Sequence, residues 1–204
     1  MPNLRVVSVF VGMPQAHLEV DPRDDKGRAW SSGIFKGEVA GPVMVRTGNL
    51  DGDGQADLRV HGGPDRAVLM FASSNYTRFG STEPGSFGEN LTVEGVDEDT
   101  VCLGDQWGND RLLFEVSQPR LPCFKLGRRQ GNPGIVAEVL KARSAGWYLR
   151  VLREGEVQAG DELELVSRPH PEWPIRRAVE AYLQDDTSLL AVAALSQLWR
   201  DKFS

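Results

Sequence analysis

Residues 117–126 hold one cysteine in a setting that could activate its thiol. Two prolines in this segment restrict the backbone before Cys123, and the cations Arg120 and Lys125 flank it. Nearby positive charge favours the thiolate, which is the form that attacks electrophiles and binds soft metals. A lone cysteine is also commonly a small buried hydrophobe. The residues alone therefore leave both interpretations open for Cys123, whereas Cys102 lacks such neighbours and is expected in the core.

Alternating acids in residues 51–57 suggest a calcium-binding loop at first. An EF-hand loop that began at Asp51 would need glycine at its sixth position and glutamate at its twelfth. Those positions hold Ala56 and Gly62 instead. The sequence therefore excludes an EF-hand and leaves a glycine-rich segment with polar neighbours.

A proline follows Gly62 and Gly63, and this combination predicts a tight turn. Backbone N–H groups that no side chain shields could bind phosphate or the polar edge of a ring. His61 and Asp65 flank the turn and are candidates for chemistry there. The alternative is a structural turn in which Asp65 caps its neighbours and His61 is half-buried.

Residues 87–91 form a third motif, in which Gly88 permits close approach of another chain segment. The polar side chains of Glu89 and Asn90 can hydrogen-bond to a neighbouring loop. Taken alone, this motif indicates a structural turn before a strand.

Composition limits the classes of protein that fit the chain. Its 204 residues carry 23 Lys and Arg against 29 Asp and Glu, a formal net charge of −6, which argues against general nucleic-acid binding. The sequence has neither an unbroken apolar run of about 18 residues nor the pattern of a signal peptide. We therefore expect no membrane association and a cytoplasmic location. Two cysteines fit a reducing compartment.

Short apolar runs separated by turn residues dominate residues 1–168, and they predict an antiparallel sandwich or barrel. After residue 168 the pattern predicts three short helices, which begin near Pro174, after a cap at Asp186 or Thr187, and after Ser196. A tail of about 35 residues is too small for an independent core. We therefore expect a mainly β domain over residues 1–168 and a C-terminal three-helix domain over residues 169–204 that packs on it.

Taken together and in order, these segments resemble the MOSC domain family, named for the C-terminal domain of molybdenum cofactor sulfurases, and specifically its YiiM-like branch. The resemblance covers almost the whole chain, and the tail with Trp173 and Trp199 is similar to the three-helix domain of that branch. Residues 68–73 depart from the branch, whose members often carry aromatic residues there. The matching blocks are residues 32–36, 52–57, 61–67, 87–91, 103–105 and 116–126.

The resemblance implies a MOSC-type β-barrel with a few short helices that holds a molybdenum cofactor, a molybdopterin whose dithiolene binds Mo. It also implies that Cys123 ligates the metal in the catalytic centre, which suits a soft site. From their places in the matching blocks, His61 and Asp65 are expected to donate protons. Contacts with the cofactor, including bidentate arginine contacts with its phosphate, are expected from Gly62, Gly63, Arg66, Asn90, Arg120 and Lys125.

The YiiM-like branch is linked to the reduction of N-hydroxylated compounds, such as hydroxylamino-purines, to amines. The resemblance therefore implies a molybdenum-dependent oxidoreductase that acts in detoxification of such compounds. The chain has no cysteine cluster for an iron–sulfur centre and no G-x-G-x-x-G motif for a flavin or nicotinamide. Electrons are therefore expected from a separate reductase. Pyridoxal phosphate is not expected as a cofactor, and homodimerisation is left open.

Two other functions stay open at this point. The domain could carry cofactor or activated sulfur, with a persulfide on Cys123. It could instead be a hydrolase in which Cys123 is the nucleophile, His61 the base and Asp65 the residue that orients the base.

Overall fold

The computed structural model describes residues 3–17, 30–80, 83–192 and 194–203, with residues 59 and 60 described by their backbone alone. Short strands dominate these ranges, as the sequence predicts. The strands are β1 (Asn3–Val11), β2 (Gln15–His17), β3 (Trp30–Ser32), β4 (Gly37–Glu38), β5 (Val43–Val45), β6 (Val68–Ala72), β7 (Leu91–Glu94), β8 (Gln106–Gly108), β9 (Leu113–Pro119), β10 (Trp147–Arg153), β11 (Gly155–Val157) and β12 (Glu162–Ser167).

Helices are short and lie mostly between strands. Within the described ranges, none of them has the length and apolar character that crossing a membrane requires. Two 3₁₀ turns, Pro64–Arg66 and Thr187–Ala191, accompany them. The helices are α1 (Leu58–His61), α2 (Ser74–Arg78), α3 (Phe124–Gln130), α4 (Ile135–Ala142), α5 (Ile175–Leu183) and α6 (Gln197–Asp201).

Seven strands close into a barrel, which confirms the predicted fold class. The strands pair in the order β1, β12, β8, β9, β10, β6 and β7, and β7 pairs again with β1. Neighbours in this ring are antiparallel except β6 and β7, which are parallel, so the barrel is mixed. Strand β4 pairs with β1, while β2 with β3 and β5 with β11 form small additional sheets. Closing the ring gives each barrel strand a partner on both sides.

Strand β6 is buried along its whole length, which explains why its sequence is uninterrupted and apolar. Val68, Met70 and Ala72 belong to the main core inside the barrel. Phe71 belongs to a second cluster, where its ring stacks on Phe87 at 4.4 Å between centroids. Because side chains alternate across a strand, these two clusters cover its two faces.

The C-terminal tail contains α5, a 3₁₀ turn and α6 rather than three α-helices. The side chain of Asp186 accepts a hydrogen bond from the Ser188 amide at 2.9 Å. The Ser196 hydroxyl accepts one from the Trp199 amide at 3.4 Å. Both residues therefore act as the N-caps that the sequence predicts.

The tail packs on the barrel and shares its core. Trp173, Leu189 and Trp199 belong to the same cluster of buried side chains as the barrel interior. The Ser196 amide also donates a hydrogen bond to the carbonyl of Ser117 in β9 at 3.1 Å. The division into two domains remains a prediction, and one continuous core spans its proposed boundary.

Candidate functional site

One cavity gathers residues that are far apart in the sequence. It lies among β3 and the loop after it, residues 53–61, the turn before β7, the start of α3, and β10. Of the residues predicted for the site, those that line the cavity are His61, Arg66, Asn90, Arg120, Cys123 and Lys125.

Cys123 presents a half-buried thiol to this cavity. Strand β9 ends at Pro119, and α3 begins directly after Cys123, which is the extended N-cap residue at φ −121° and ψ 172°. The thiol is free rather than in a disulfide. Its Sγ lies 3.8 Å from Nε2 of His61, a hydrogen-bonding distance for sulfur. The predicted candidate thiol therefore faces space that a ligand could fill.

His61 titrates below the usual range of histidine. Burial is the largest cause of the lowered pKa, because it disfavours the charged imidazolium. The positive charges of Lys125, Arg66 and Arg120 lower the pKa further, while Asp57 opposes them. The imidazole is therefore neutral near pH 7.

Among the described residues, the two cations beside the thiol donate hydrogen bonds to neutral acceptors. The Arg120 guanidinium, in a residue only 6% exposed, donates to the Ala145 carbonyl at 3.5 Å, and Lys125 Nζ donates to the Ser31 carbonyl at 3.0 Å. Neither forms an ion pair with a carboxylate in the ranges that the structure describes. Positive charge without a counter-charge favours an anionic ligand. We call the following residues the thiol cluster: Cys123, His61, Arg66, Arg120 and Lys125.

A buried ion pair forms another part of the cavity lining. The Lys36 ammonium contacts Oδ1 of Asp53, and their side chains are 7% and 1% exposed. Asp53 also accepts hydrogen bonds from the Gly12 amide at 2.9 Å and from Nδ2 of Asn90 at 3.0 Å. The carboxylate is thus both paired and hydrogen-bonded, as a buried charge requires. We call Lys36, Asp53 and Asn90 the ion-pair cluster.

Glycine allows the loops that carry Lys36 and Asp53 to touch. A Cβ atom on Gly33 would lie 2.2 Å from the carbonyl oxygen of Gly54, so no other residue fits without moving the backbone. The sequence blocks at residues 32–36 and 52–57 therefore form one packed unit.

The turn before β7 positions Asn90. Glu89 is fully buried and accepts hydrogen bonds from the amides of Gly85 at 2.7 Å and Phe87 at 3.1 Å, which folds the turn on itself. Oδ1 of Asn90 accepts from the Leu69 amide at 3.0 Å, which ties the turn to β6. The motif is thus a structural turn that also supplies one cavity residue.

Asp65 is not among the residues that line the cavity, and the role expected for it as a proton donor stays a prediction. Its Oδ1 accepts hydrogen bonds from Nε and Nη2 of Arg150 at 2.8 and 2.7 Å, and Arg150 also pairs with Glu115. Successive residues of a 3₁₀ turn project about 120° apart. Arg66 therefore faces the cavity, while Asp65 fastens the turn to β10.

Gly62 and Gly63 are not among the residues that line the cavity, and the cofactor contacts expected from their backbone stay a prediction. Gly63 has φ 95°, which glycine adopts freely, and it precedes the 3₁₀ turn as the N-cap. The predicted tight turn is therefore confirmed.

Three ionisable residues of the cavity lining were absent from the predicted site: Lys36, Asp53 and Tyr148. Lys36 and Asp53 lie in matching sequence blocks, which was the available signal for them. Tyr148 sits within an apolar strand pattern that gave no such signal. Burial raises its pKa above the usual tyrosine value.

Comparison with known families identifies the class of protein. A model of the MOSC domain matches residues 57–164, which is more than half of the chain. The chain therefore belongs to the MOSC domain family. The matched range includes the whole thiol cluster and Asn90, whereas Lys36 and Asp53 precede it.

Individual relatives extend the similarity to nearly the full length. The chain is 39% identical to the uncharacterized protein YflK of Bacillus subtilis (strain 168), over 97% of this chain and 92% of that protein. It is 33% identical to a protein named Reductase from Gibberella moniliformis, over 82% of this chain but only 31% of that protein. The crystal structure of YiiM from Geobacillus stearothermophilus matches with TM-score 0.78 and 30% identity, covering 98% of this chain and 97% of that one. The YiiM-like resemblance is thus confirmed.

Proposed function

We propose that this chain is a molybdenum-cofactor-dependent reductase that converts N-hydroxylated compounds to amines, with Cys123 as a ligand of the metal. The main support for this proposal is that a half-buried free thiol shares one cavity with an arginine and a lysine that form no ion pair among the described residues. Membership of the MOSC domain family supports a molybdenum-related role. The relative named Reductase supports an oxidoreductase.

The thiol cluster suits both ends of a molybdopterin. A thiolate from Cys123 is a soft donor for the metal end. Arg120 can make two parallel hydrogen bonds with a phosphate, and Lys125 contributes a compact positive charge. An anionic group at this position would balance the charges of Arg120 and Lys125, which have no carboxylate partner among the described residues.

The proposed reaction is R–NH–OH plus two electrons and two protons, giving R–NH₂ and water. When bound, the cofactor would supply the two electrons. A neutral His61 with its proton on Nε2 would donate a hydrogen bond to Sγ of Cys123 and so orient the sulfur in the cavity.

A separate reductase is proposed as the source of electrons. The match to the protein named Reductase covers 31% of its length, so most of that protein has no counterpart in this chain. We propose that the electron-donating part is a different protein in this case. A chemical reductant can replace it in an assay.

A cysteine hydrolase gains less support from the same geometry. His61 approaches the thiol as a general base would. However, its Nδ1 is buried and has no hydrogen-bond partner among the described residues, and Asp65 is bound to Arg150. The third residue that would orient the base is therefore not in position. The carrier function needs only the thiol, and the following experiment separates it from the reductase.

The first test measures molybdenum and pterin in protein from a host that makes the cofactor. Wild type is compared with Cys123→Ser and with Cys102→Ser as a matched control. The Cys102 thiol is buried, donates to the Pro171 carbonyl at 3.6 Å and has a pKa raised to about 11 by burial. We expect near-stoichiometric metal in wild type and Cys102→Ser, and loss of metal in Cys123→Ser, because the serine hydroxyl is a poor soft-metal ligand.

Loaded protein is then assayed with a hydroxylamino-purine and a chemical electron donor. Wild type and Cys102→Ser should form the amine, and Cys123→Ser should not. Absence of metal from all three proteins, with cofactor supply verified in the host, would contradict the proposal. A persulfide on Cys123 in that metal-free protein, detected by mass spectrometry, would favour the carrier.

A further inference from the structure

The proposed reaction consumes protons, and a general acid must hold a proton at the working pH within reach of the substrate. Asp65 lies outside the cavity and is paired with Arg150. His61 has a lowered pKa and is neutral near pH 7. Burial raises the pKa of Tyr148, which makes its hydroxyl a weaker acid. Asp65 and His61 therefore do not meet both requirements, and Tyr148 meets them only as a weak acid.

Lys36 satisfies both requirements by its position and charge. Its side chain lines the cavity and is 7% exposed. Across the described part of the chain, Asp53 is the sole hydrogen-bond acceptor of its ammonium group. An ammonium has three N–H bonds, so two remain for a ligand in the cavity.

The surroundings of Lys36 also favour proton release. Burial lowers its pKa from the ordinary value of 10.5, and the negative charges of Asp53 and Glu89 oppose this effect without cancelling it. Asp53 is held independently by Gly12 and Asn90, so the carboxylate keeps its place when the lysine loses a proton. Hydroxide, the leaving group of N–O cleavage, is the conjugate base of water with a pKa of about 15.7 and takes a proton readily from such an ammonium.

We propose that Lys36 is the catalytic acid, whose Nζ hydrogen-bonds the hydroxyl oxygen of the N-hydroxylated substrate and protonates it as the N–O bond breaks. This inference rests on the proposed function. Two electrons from the separate reductase are taken up as the N–O bond cleaves. The oxygen takes one proton from Nζ and leaves as water, and the nitrogen takes the second proton from solvent. Lys36 then regains its proton from solvent, which completes the balance.

The test compares two leaving groups in wild type and Lys36→Arg. Arginine keeps the positive charge beside Asp53, but a guanidinium does not give up its proton. The substrates are an N-hydroxylated amine and its O-acetylated counterpart, whose acetate leaves without needing a proton. Lys36→Arg should lower turnover of the hydroxyl substrate by about 10²- to 10⁴-fold. Turnover of the O-acetylated substrate should stay nearly unchanged.

A role for Lys36 in folding or in holding the cofactor would give a different pattern. Equal losses with both substrates would overturn the inference, and so would unchanged turnover of both. Lys36→Gln, which is neutral and also unable to protonate the oxygen, should show the same selective loss and replaces Lys36→Arg if that variant does not fold. A loaded wild type that is inactive on both substrates would overturn the proposed function itself.

A second readout needs no cofactor. Wild-type protein labelled with ¹³C at lysine Cε is titrated by NMR, and the signal missing from the Lys36→Arg spectrum is that of Lys36. Its pKa should lie below the ordinary 10.5. A value at or above 10.5 would contradict the acidity on which the inference depends.

Discussion

In the thiol cluster, Arg120 and Lys125 donate to backbone carbonyls, and neither forms an ion pair within the described residues. In the ion-pair cluster, by contrast, Lys36 is matched by Asp53, which accepts two further hydrogen bonds. Both clusters line the same cavity. Arg120 and Lys125 therefore carry positive charge that no described carboxylate balances and that a ligand can balance, whereas the charge of Lys36 is already balanced by Asp53.

This difference in charge pairing is relevant to the function proposed for each cluster. A buried cation without a counter-charge costs folding free energy, which binding an anion recovers. A buried pair that is fully hydrogen-bonded fixes its side chains in one geometry. The thiol cluster is thus suited to holding an anionic cofactor, and the ion-pair cluster to presenting a proton at a defined position.

Of the changes that test this difference between the clusters, removing one charge of the ion-pair cluster should have the largest effect, a loss in the free energy of unfolding. Asp53→Ala leaves the Lys36 ammonium buried without a partner, and losses of about 3–5 kcal/mol follow when one member of a buried pair is removed. Urea unfolding of cofactor-free protein measures the change in the free energy of unfolding. Lys125→Gln, in the thiol cluster, should change it by no more than roughly 0.5 kcal/mol.

The double variant Lys36→Met with Asp53→Ala tests the cause of that loss. It leaves no unpaired charge, so it should recover part of the stability that Asp53→Ala removes. If the double variant were less stable than Asp53→Ala alone, packing rather than charge would dominate at this position.

An intermediate effect is expected on the titration of His61. In cofactor-free protein, Lys125→Gln should raise the His61 pKa, because it removes a cation that disfavours the imidazolium. Asp57→Asn should lower the pKa further, because it removes the opposing negative charge. NMR titration of the imidazole measures both shifts, each expected to be about one unit or less. Shifts of the same sign would contradict the electrostatic account.

The lowered pKa also predicts how His61 affects stability against pH. The unfolded chain takes up a proton near the ordinary value of 6.5, while the folded His61 does so only at lower pH. The His61 contribution to stability is therefore lost as the pH falls below about 6.5. Urea unfolding at a series of pH values measures this loss. As the pH falls, the free energy of unfolding should decrease less for Lys125→Gln than for wild type, because its His61 pKa is closer to that of the unfolded chain.

The smallest effect should come from Asp65, which belongs to neither cluster. Its side chain and that of Arg150 are 28% and 26% exposed, and ion pairs accessible to water contribute little. Asp65→Asn should therefore lower the free energy of unfolding by roughly 1 kcal/mol or less. Amine formation by loaded Asp65→Asn should keep the pH profile of wild type. If one arm of the pH profile were lost in Asp65→Asn, Asp65 would be a proton donor in the reaction.

Local sequence signals predicted much of the fold. The Gly-Pro pair at residues 41 and 42 interrupts the apolar run of residues 39–45, and in the structure only the last three residues of that run form a strand, β5. The N-caps Asp186 and Ser196 were also recognisable, because capping is decided by a few neighbouring residues. Helix α3 was not predicted, because Cys123 provides no side-chain cap and Gly127 disfavours a helix. Gly127 is buried in α3, where a Cβ atom would lie 3.2 Å from Cα of Pro133.

The same distinction between local signals and distant contacts applies to the candidate site. Motifs in the sequence indicated Cys123 and the cations around it, because their residue types and spacing are visible in a short segment. The role expected for Asp65 depended on where its side chain points, and Arg150, 85 residues away, determines that direction. The sequence around Lys36 or Asp53 alone did not indicate a buried charge, because it is the contact between the two side chains that removes both from water.

The sequence by itself thus determined the positions of several turns and caps and the presence of a cysteine flanked by cations, because these depend on residues close together in the chain. Tertiary structure decided which charges are paired and which face the cavity. Sγ of Cys123 meets a histidine 62 residues earlier, and Lys36 meets a carboxylate 17 residues later. Such contacts form only when closure of the barrel brings distant loops together and excludes water from between them.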